Sequence, residues 1–573
     1  MLSSETSAMK LSAVLVFLTV VSSSQARSPR VETSSGGIVG YVKKSRSGRE
    51  YAAFEGVPYA QPPLGKLRFL PPKPVLKWIQ DLPATKKSQV CTQYLMSPVK
   101  GDRVIGCEDC LYMNIYVPTI KDKKKLLPVM FWIHGGAFQF ASGNEADETL
   151  LMDRDVILVT INYRLGPFGF LSTGDRVLPG NMGLKDQSMA LRWVSNNIHS
   201  FGGNSKEITL FGMSAGGSSV HYHYLSPLSA GLFQRGISIS GVALDCWAQP
   251  KHVQEKALKL GALMGCPTNN LSKMIECLRE RPARLISQAV GDFMYWLYNP
   301  FTPFGPVIER QKCPRPFINK SPIEIIARGE ALDVPWIAGV VEDEGLYTAA
   351  EFVANEELLE ELNVKWDNIS PFLLDFNYTI PLEEHKTVSE MIRKHYLGSD
   401  NICSKTSAAV VQMMSDRLFK LDYAKAVRLQ AEMHKSPVWT YLYSYRAQHS
   451  LSDRLSGTTK NFGVSHGDDI FLILDSTIDN TSNFVDKEMQ KILLDFYTSF
   501  AIEGTPKIGK VEWKKLVGNE KAFSYLHIKN PSELVMASDN DFAQKKFWST
   551  IKFNENKLSK SLTTEVRDKI NGK

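Results

Sequence analysis

The chain has 573 residues, 43% of them hydrophobic, 22% charged and 10% aromatic, a balance that supports a large core and excludes general disorder. Its formal net charge of +7, from 67 basic and 60 acidic residues, is too small for the concentrated basic face of a nucleic-acid binder, so no nucleic-acid partner is expected. No internal repeat or long low-complexity tract is present, and large α/β enzymes often reach this length as one unit.

The N-terminus carries an address. Lys10 precedes the apolar stretch 11–21, and Ser24-Gln25-Ala26 follows with small residues where signal peptidase needs them. A signal peptide over residues 1–26 is expected, with a single domain over 27–573. The stretch is shorter than the roughly 20 apolar residues that span a bilayer, and no later run reaches that length. The C-terminal Asn571-Gly572-Lys573 is neither a retention signal nor the end of a lipid-anchor tail. The expected location is therefore extracellular, with no stable membrane anchor. Sequons begin at Asn270, Asn319, Asn368, Asn377 and Asn480; Pro322 weakens the one at Asn319, and the signal peptide makes the set relevant to glycosylation. Eight cysteines fit an oxidising compartment.

Past the lysine-rich run 121–125, read as a solvated loop, strand-like runs alternate with helical spacing. Residues 126–134 (LLPVMFWIH), 155–163 (DVILVTINY), 207–211 (EITLF), 236–240 (GISIS) and 334–341 (VPWIAGVV) are short and nearly all apolar. Such runs suit central strands with helices on both faces. Residues 187–197 have helical spacing, and the stretch 269–435 is rich in helix formers. The predicted fold class is α/β, with one large, mostly parallel sheet.

Chemistry enters with Gly212-Met213-Ser214-Ala215-Gly216, which matches G-x-S-x-G between a strand and a helix. A serine on such a strained turn projects its hydroxyl from the sheet edge, and the small neighbours let the turn close. Upstream, His134-Gly135-Gly136-Ala137-Phe138 follows a strand where an oxyanion loop belongs. By position the N–H groups of Gly136, Ala137 and Ala215 form a three-donor hole. A hydroxyl needs a base. Of 11 histidines, His466 stands out, flanked by small residues in FGVSHGDD (462–469) ahead of an apolar run. His134, His221 and His223 lie nearer the serine in sequence, and the last two are expected to pack on the helix behind it. An acid should come between serine and histidine. Glu344 fits, and Glu342 and Asp343 compete with it on spacing alone.

On these motifs the chain resembles the type-B carboxylesterase/cholinesterase family across nearly all of its mature length, and within it the insect general esterases, including those of hymenopteran venoms. Further matching blocks are Phe54-Glu55-Gly56-Val57-Pro58-Tyr59-Ala60, Glu108-Asp109-Cys110-Leu111-Tyr112-Met113-Asn114 and the GPVIE run 305–309. The resemblance implies an α/β-hydrolase fold and a Ser214–His466–Glu344 triad acting by two-step acyl transfer, with no metal or organic cofactor. It also implies disulfides Cys91–Cys110 and Cys266–Cys277. Cys107 competes for Cys91, and Cys246, Cys313 and Cys403 have no assigned pairing. The implied partner is a small-molecule ester, and the chain is expected to be a monomer or weak homodimer.

Two departures from the family bear on substrate. Cholinesterases hold their quaternary ammonium group with a tryptophan on the first disulfide loop, a cation–π site; residues 92–109 contain none. Many members carry Glu before the nucleophile, where this chain has Met213. Both changes point to neutral esters. Juvenile-hormone esterases, the alternative enzyme, typically have Gln at that position. A different class, a catalytically dead, cholinesterase-like adhesion protein, is disfavoured by the complete triad; an intact esterase with weak turnover whose main role is to bind or sequester a ligand is the third alternative. The aromatic stretch 293–298 (FMYWLY) serves either as pocket lining or as core.

Overall fold

The structure is a computed structural model that describes residues 28–96, 101–122, 124–309, 313–474 and 483–558. The expected signal peptide, Asn480 and the C-terminal residues 559–573 lie outside these.

An 11-stranded sheet organises the chain. In chain order its strands are β1 (Tyr41–Lys44), β2 (Glu50–Pro58), β3 (Tyr112–Pro118), β4 (Leu127–Ile133), β5 (Ile157–Ile161), β6 (Gly203–Met213), β7 (Arg235–Ile239), β8 (Trp336–Val341), β9 (Val438–Tyr443), β10 (Phe523–Asn530) and β11 (Glu533–Asp539). Across the sheet the order is β11-β10-β9-β8-β7-β6-β4-β5-β3-β2-β1. The strands from β5 to β10 in that order run parallel. β3, β2 and β1 at one edge and β11 at the other are antiparallel to their neighbours.

The central strands are apolar throughout because both of their faces are buried. Along β4, Val129, Phe131 and Ile133 belong to one core, while Met130 and Trp132 belong to the other, as a pleat of period two requires. Helix α1 (Met182–Asn197) and helix α2 (Ala215–Tyr224) contribute Leu191, Val194 and Val220 to the first core. Helix α3 (Leu346–Val353) follows β8, and α4 (Asp468–Leu474) and α5 (Phe484–Glu503) bring Leu472, Leu493 and Phe496 to the second. Helix α5 starts on Asn483, whose side chain accepts the Val485 N–H, and stops at Gly504 with φ 75°, a helix-ending conformation glycine adopts without strain.

All five strand runs read from sequence are strands, with shifted ends. β8 begins at Trp336 and not at Val334, because Pro335 has no N–H to give a ladder. β6 extends four residues further upstream than the apolar run. The antiparallel edge and β9–β11 were not among the predicted elements.

The chain reverses direction across the sheet at β4: β5 lies on one side of it and β6 on the other. In open α/β sheets the carboxyl ends of strands at such a switch point form the binding crevice. The loop after β4 and the turn after β6 carry the two motifs described above.

Candidate active site

Ser214 ends β6 and begins α2. Its backbone sits at φ 59°, ψ −124°, and its side chain does not cap the helix. That conformation is strained for a residue with a Cβ. Two hydrogen bonds hold it: the Ser214 N–H donates to the Ile239 carbonyl at 2.8 Å, and the Ser218 N–H donates to the Ser214 carbonyl at 2.8 Å. The motif glycines permit the close approach. A Cβ on Gly216 would lie 2.0 Å from the Ile133 carbonyl oxygen, and one on Gly135 would lie 2.8 Å from that of Met213.

The loop after β4 has three consecutive residues with positive φ, Gly136 (93°), Ala137 (53°) and Phe138 (60°). The Gln139 and Phe140 N–H groups both donate to the Gly136 carbonyl, at 2.8 and 3.0 Å. The Gln139 side chain donates to the Ala137 carbonyl at 3.1 Å and also to that of Phe304. Among the described residues the N–H groups of Gly136, Ala137 and Ala215 find no acceptor. Ala215 is the first residue of α2, where an N–H lacks an intrahelical partner and the helix dipole favours negative charge.

Glu344 follows β8 and is fully buried. Its Oε1 accepts the Val341 N–H at 2.9 Å, and its Oε2 accepts from His466 Nδ1. His466 is also buried. Nothing among the described residues partners its Nε2. The rings of Tyr347 and Phe419 pack on the imidazole, with centroids 5.1 and 4.7 Å away. The histidine loop docks on β8's exit: the Asp343 N–H donates to the Val464 carbonyl at 3.0 Å, and the Val464 N–H donates to Asp343 Oδ2 at 2.9 Å. Burial lifts the carboxyls of Asp468 and Asp469 at the start of α4 to about 7 and about 6.

The three acidic neighbours left open by spacing thus have separate positions. Glu342 is half exposed and accepts the Ser444 hydroxyl at 2.7 Å. Asp343 anchors the histidine loop. Glu344 meets the imidazole. The three other histidines stand elsewhere. His134 stacks on Tyr163 at 4.4 Å, and burial lowers it to about 4. His223 sits between the Ser229 hydroxyl and Gln187 Oε1. His221 Nδ1 accepts the Ala243 N–H at 3.1 Å. Burial lowers both to about 3.

Met213 is nearly buried and belongs to the core. Its Sδ lies 3.2 Å from where a Gly135 Cβ would stand, and its Cε 2.4 Å from where a Gly467 Cβ would stand. The thioether therefore packs between the glycine loop after β4 and the histidine loop. Sequence reasoning missed the aromatic wall that reaches His466 through Tyr347 and Phe419. Phe138 contacts Trp247 (6.3 Å), which contacts Phe301 and Phe419 (5.7 Å each), and Phe301 meets Tyr347 at 5.4 Å. These rings come from five separate segments, so no local motif announces them. The 293–298 stretch divides. Phe293 packs on Phe304 and Trp296 on Phe352, while Met294, Leu297 and Tyr298 line a cavity.

Disulfides join Cys91 to Cys110 and Cys266 to Cys277. Cys107 is free: its backbone pairs with the Cys91 strand, and its thiol donates to the Asp109 carbonyl at 3.3 Å. Cys246, Cys313 and Cys403 are free too, Cys246 fully buried. Asn270, Asn319 and Asn368 are exposed and Asn377 is half-buried. Among the described residues no cluster of His, Cys, Asp and Glu is arranged to hold a metal, and no helix is long and apolar enough to cross a membrane.

A strained serine beside free N–H donors, together with a carboxylate-oriented imidazole, can carry out acyl transfer. The carboxylesterase family model matches residues 27–548. The chain belongs to the carboxylesterase family. It is 64% identical to venom carboxylesterase-6 of Apis mellifera over 96% of its own length and 100% of that protein. It is 38% identical to a juvenile hormone esterase of Tribolium castaneum over 83% and 84% of the two chains. Its fold matches the crystal structure of juvenile hormone esterase from Manduca sexta, with OTFP covalently attached, at a TM-score of 0.78 and 25% identity, covering 95% of this chain and all of that one. The enzyme is thus a carboxylic-ester hydrolase with an α/β-hydrolase fold.

Proposed function

We propose that this is a secreted serine carboxylesterase that hydrolyses neutral carboxylic esters through an acyl-enzyme on Ser214. The observation that carries this reading is the buried Glu344–His466 pair, whose free Nε2 stands at the same sheet end as the strained Ser214. A covalent adduct in the Manduca sexta structure is what an active nucleophile on this fold predicts.

Ser214 Oγ attacks the ester carbonyl and its proton passes to His466 Nε2. Glu344 holds the Nδ1–H tautomer and stabilises the imidazolium. The Gly136, Ala137 and Ala215 N–H groups receive the tetrahedral oxygen; one such donor is worth about 3 kcal/mol in the transition state. The intermediate collapses, the C–O bond to the alcohol breaks, and His466 returns the proton to the leaving oxygen. Water then attacks the acyl carbon while the same Nε2 takes its proton; the bond from that carbon to Ser214 Oγ breaks, His466 returns the proton to Oγ, and the carboxylic acid leaves.

Two features favour neutral substrates. The loop 92–109 lacks tryptophan, and the residue before Ser214 is a packed methionine instead of a carboxylate. Secretion is supported by the expected signal peptide over 1–26 ahead of one domain over 27–573, the exposed sequons, the two disulfides and the venom carboxylesterase that the chain resembles. A juvenile-hormone esterase is the second reading, favoured by the Tribolium castaneum and Manduca sexta relatives. Rates on a panel of neutral aryl, choline and juvenile-hormone esters test the proposal. Fast neutral-ester turnover with poor choline-ester turnover is expected, and efficient acetylcholine hydrolysis would overturn the selectivity.

A further inference from the structure

The glycine loop after β4 is held at every step. Each carbonyl from His134 to Phe138 accepts a hydrogen bond. The Tyr163 hydroxyl donates to that of His134 at 3.0 Å, the His134 ring Nδ1–H to that of Gly135 at 2.9 Å, and the Gly166 N–H to that of Phe138 at 2.7 Å. Gln139 serves the two between: its N–H donates to the Gly136 carbonyl at 2.8 Å, and its side-chain amide donates to the Ala137 carbonyl at 3.1 Å. In a planar trans peptide the C=O and the N–H that follows it point in opposite directions. Fixing each carbonyl therefore aims the next N–H.

Ala137 is the most demanding link. It holds φ 53° between two other residues of positive φ, a strained backbone for a residue with a Cβ and one that persists only where the surroundings enforce it. The two peptide groups that flank it both carry their carbonyls to Gln139. That residue is 1% exposed, and its amide is anchored outside the loop by a second hydrogen bond, to the Phe304 carbonyl. Both of its partners are acceptors, so the NH₂ end must face them, and Oε1 has no partner. An unmet buried acceptor costs stability. The fold keeps one in the residue whose N–H groups hold the loop.

We infer that Gln139 is a positioning residue for the reaction: its side chain keeps the Ala137 N–H aimed at the oxygen that becomes negative when Ser214 attacks. The inference rests on the acyl-transfer reading above and gives Gln139 no contact with substrate. A displaced donor loses little toward a neutral ester carbonyl and much toward an oxyanion. The effect of Gln139 therefore falls on the transition state and not on substrate binding.

The test compares the full mature enzyme with Gln139→Met, which keeps the length of the side chain and removes both of its N–H bonds. On a neutral ester, kcat should fall about 10²-fold while KM stays nearly the same. An alkyl trifluoromethyl ketone adds Ser214 Oγ at its carbonyl carbon, passes the proton to His466 and leaves a negative oxygen. Its affinity should fall by a similar factor, while the plain methyl ketone of the same chain keeps its affinity. Titration with a fluorophosphonate counts the reactive serines in each preparation, so partial misfolding drops out of every comparison. An unchanged kcat per reactive serine overturns the inference. So does a loss of kcat that the trifluoromethyl ketone does not share, or that the methyl ketone shares equally. If Gln139→Met does not fold, the same comparison on Gln139→Asn, whose shorter amide cannot reach both Ala137 and Phe304, decides by the same criteria. A wild type that takes up no fluorophosphonate refutes the triad instead.

Discussion

Around Ser214 the site is shaped by backbone meeting backbone, whereas around His466 it is shaped by side chains arriving from distant segments. At the elbow, Gly216 lets α2 approach the Ile133 carbonyl, and the N–H donors come from main chain. At the histidine, Glu344 and His466 are 122 residues apart and meet because Asp343 ties the histidine loop to the end of β8. The first region depends on what is missing, a Cβ or a competing acceptor. The second depends on what is present, a carboxylate of the right length at one position. Changes in the two should therefore fail differently.

The largest effect belongs to the side-chain region. Glu344→Gln keeps the size of the side chain and an acceptor for the Val341 N–H, but no longer enforces the His466 tautomer or stabilises its cation. A loss of about 10⁴-fold in kcat is expected, with the melting temperature nearly unchanged. Next comes the backbone region. Gly216→Ala puts a methyl group where no space exists, so β4 and α2 must separate. That overpacking is expected to cost about 1–3 kcal/mol, read as a lower melting temperature together with reduced activity. If Gly216→Ala melts like wild type, the close backbone approach is not what shapes the elbow.

The smallest effect concerns the histidines behind the elbow. Burial holds His223 near 3, below its ordinary value of 6.5. Below pH 6.5 the unfolded chain binds a proton there and the folded chain does not, so this contribution to stability falls as pH falls from 6.5 toward 3. Each pH unit in that window is worth about 1.4 kcal/mol. His223→Gln removes the linkage. Its destabilisation relative to wild type should therefore shrink by about 2 kcal/mol between pH 6.5 and pH 5, measured by denaturant unfolding. A constant difference across that range would mean that His223 is protonated in the folded state.

The same contrast explains what could be read from sequence. The central strands were legible because burial on both faces leaves continuous apolar runs. The strand Tyr41–Lys44 alternates half-buried and exposed residues and so has no such signature. The tight turns at the two glycine motifs, after β4 and after β6, were legible because backbone geometry demands glycine and small residues at fixed offsets. Glu342, Asp343 and Glu344 could not be separated by spacing, because their roles depend on which one is covered by the histidine loop. Met213 read as a missing charge; the fold adds that its thioether fills the gap between Gly135 and Gly467. The aromatic wall was invisible, since it joins residues from different segments through tertiary packing alone.

Covalent capture at Ser214 tests the central assignment most directly. Intact-mass analysis after incubation with a fluorophosphonate should show one adduct per wild-type chain, mapped to the peptide containing Ser214, and none on Ser214→Ala. An unlabelled wild type, or equal labelling of the variant, would contradict the acyl-transfer site built here around Ser214, Glu344 and His466.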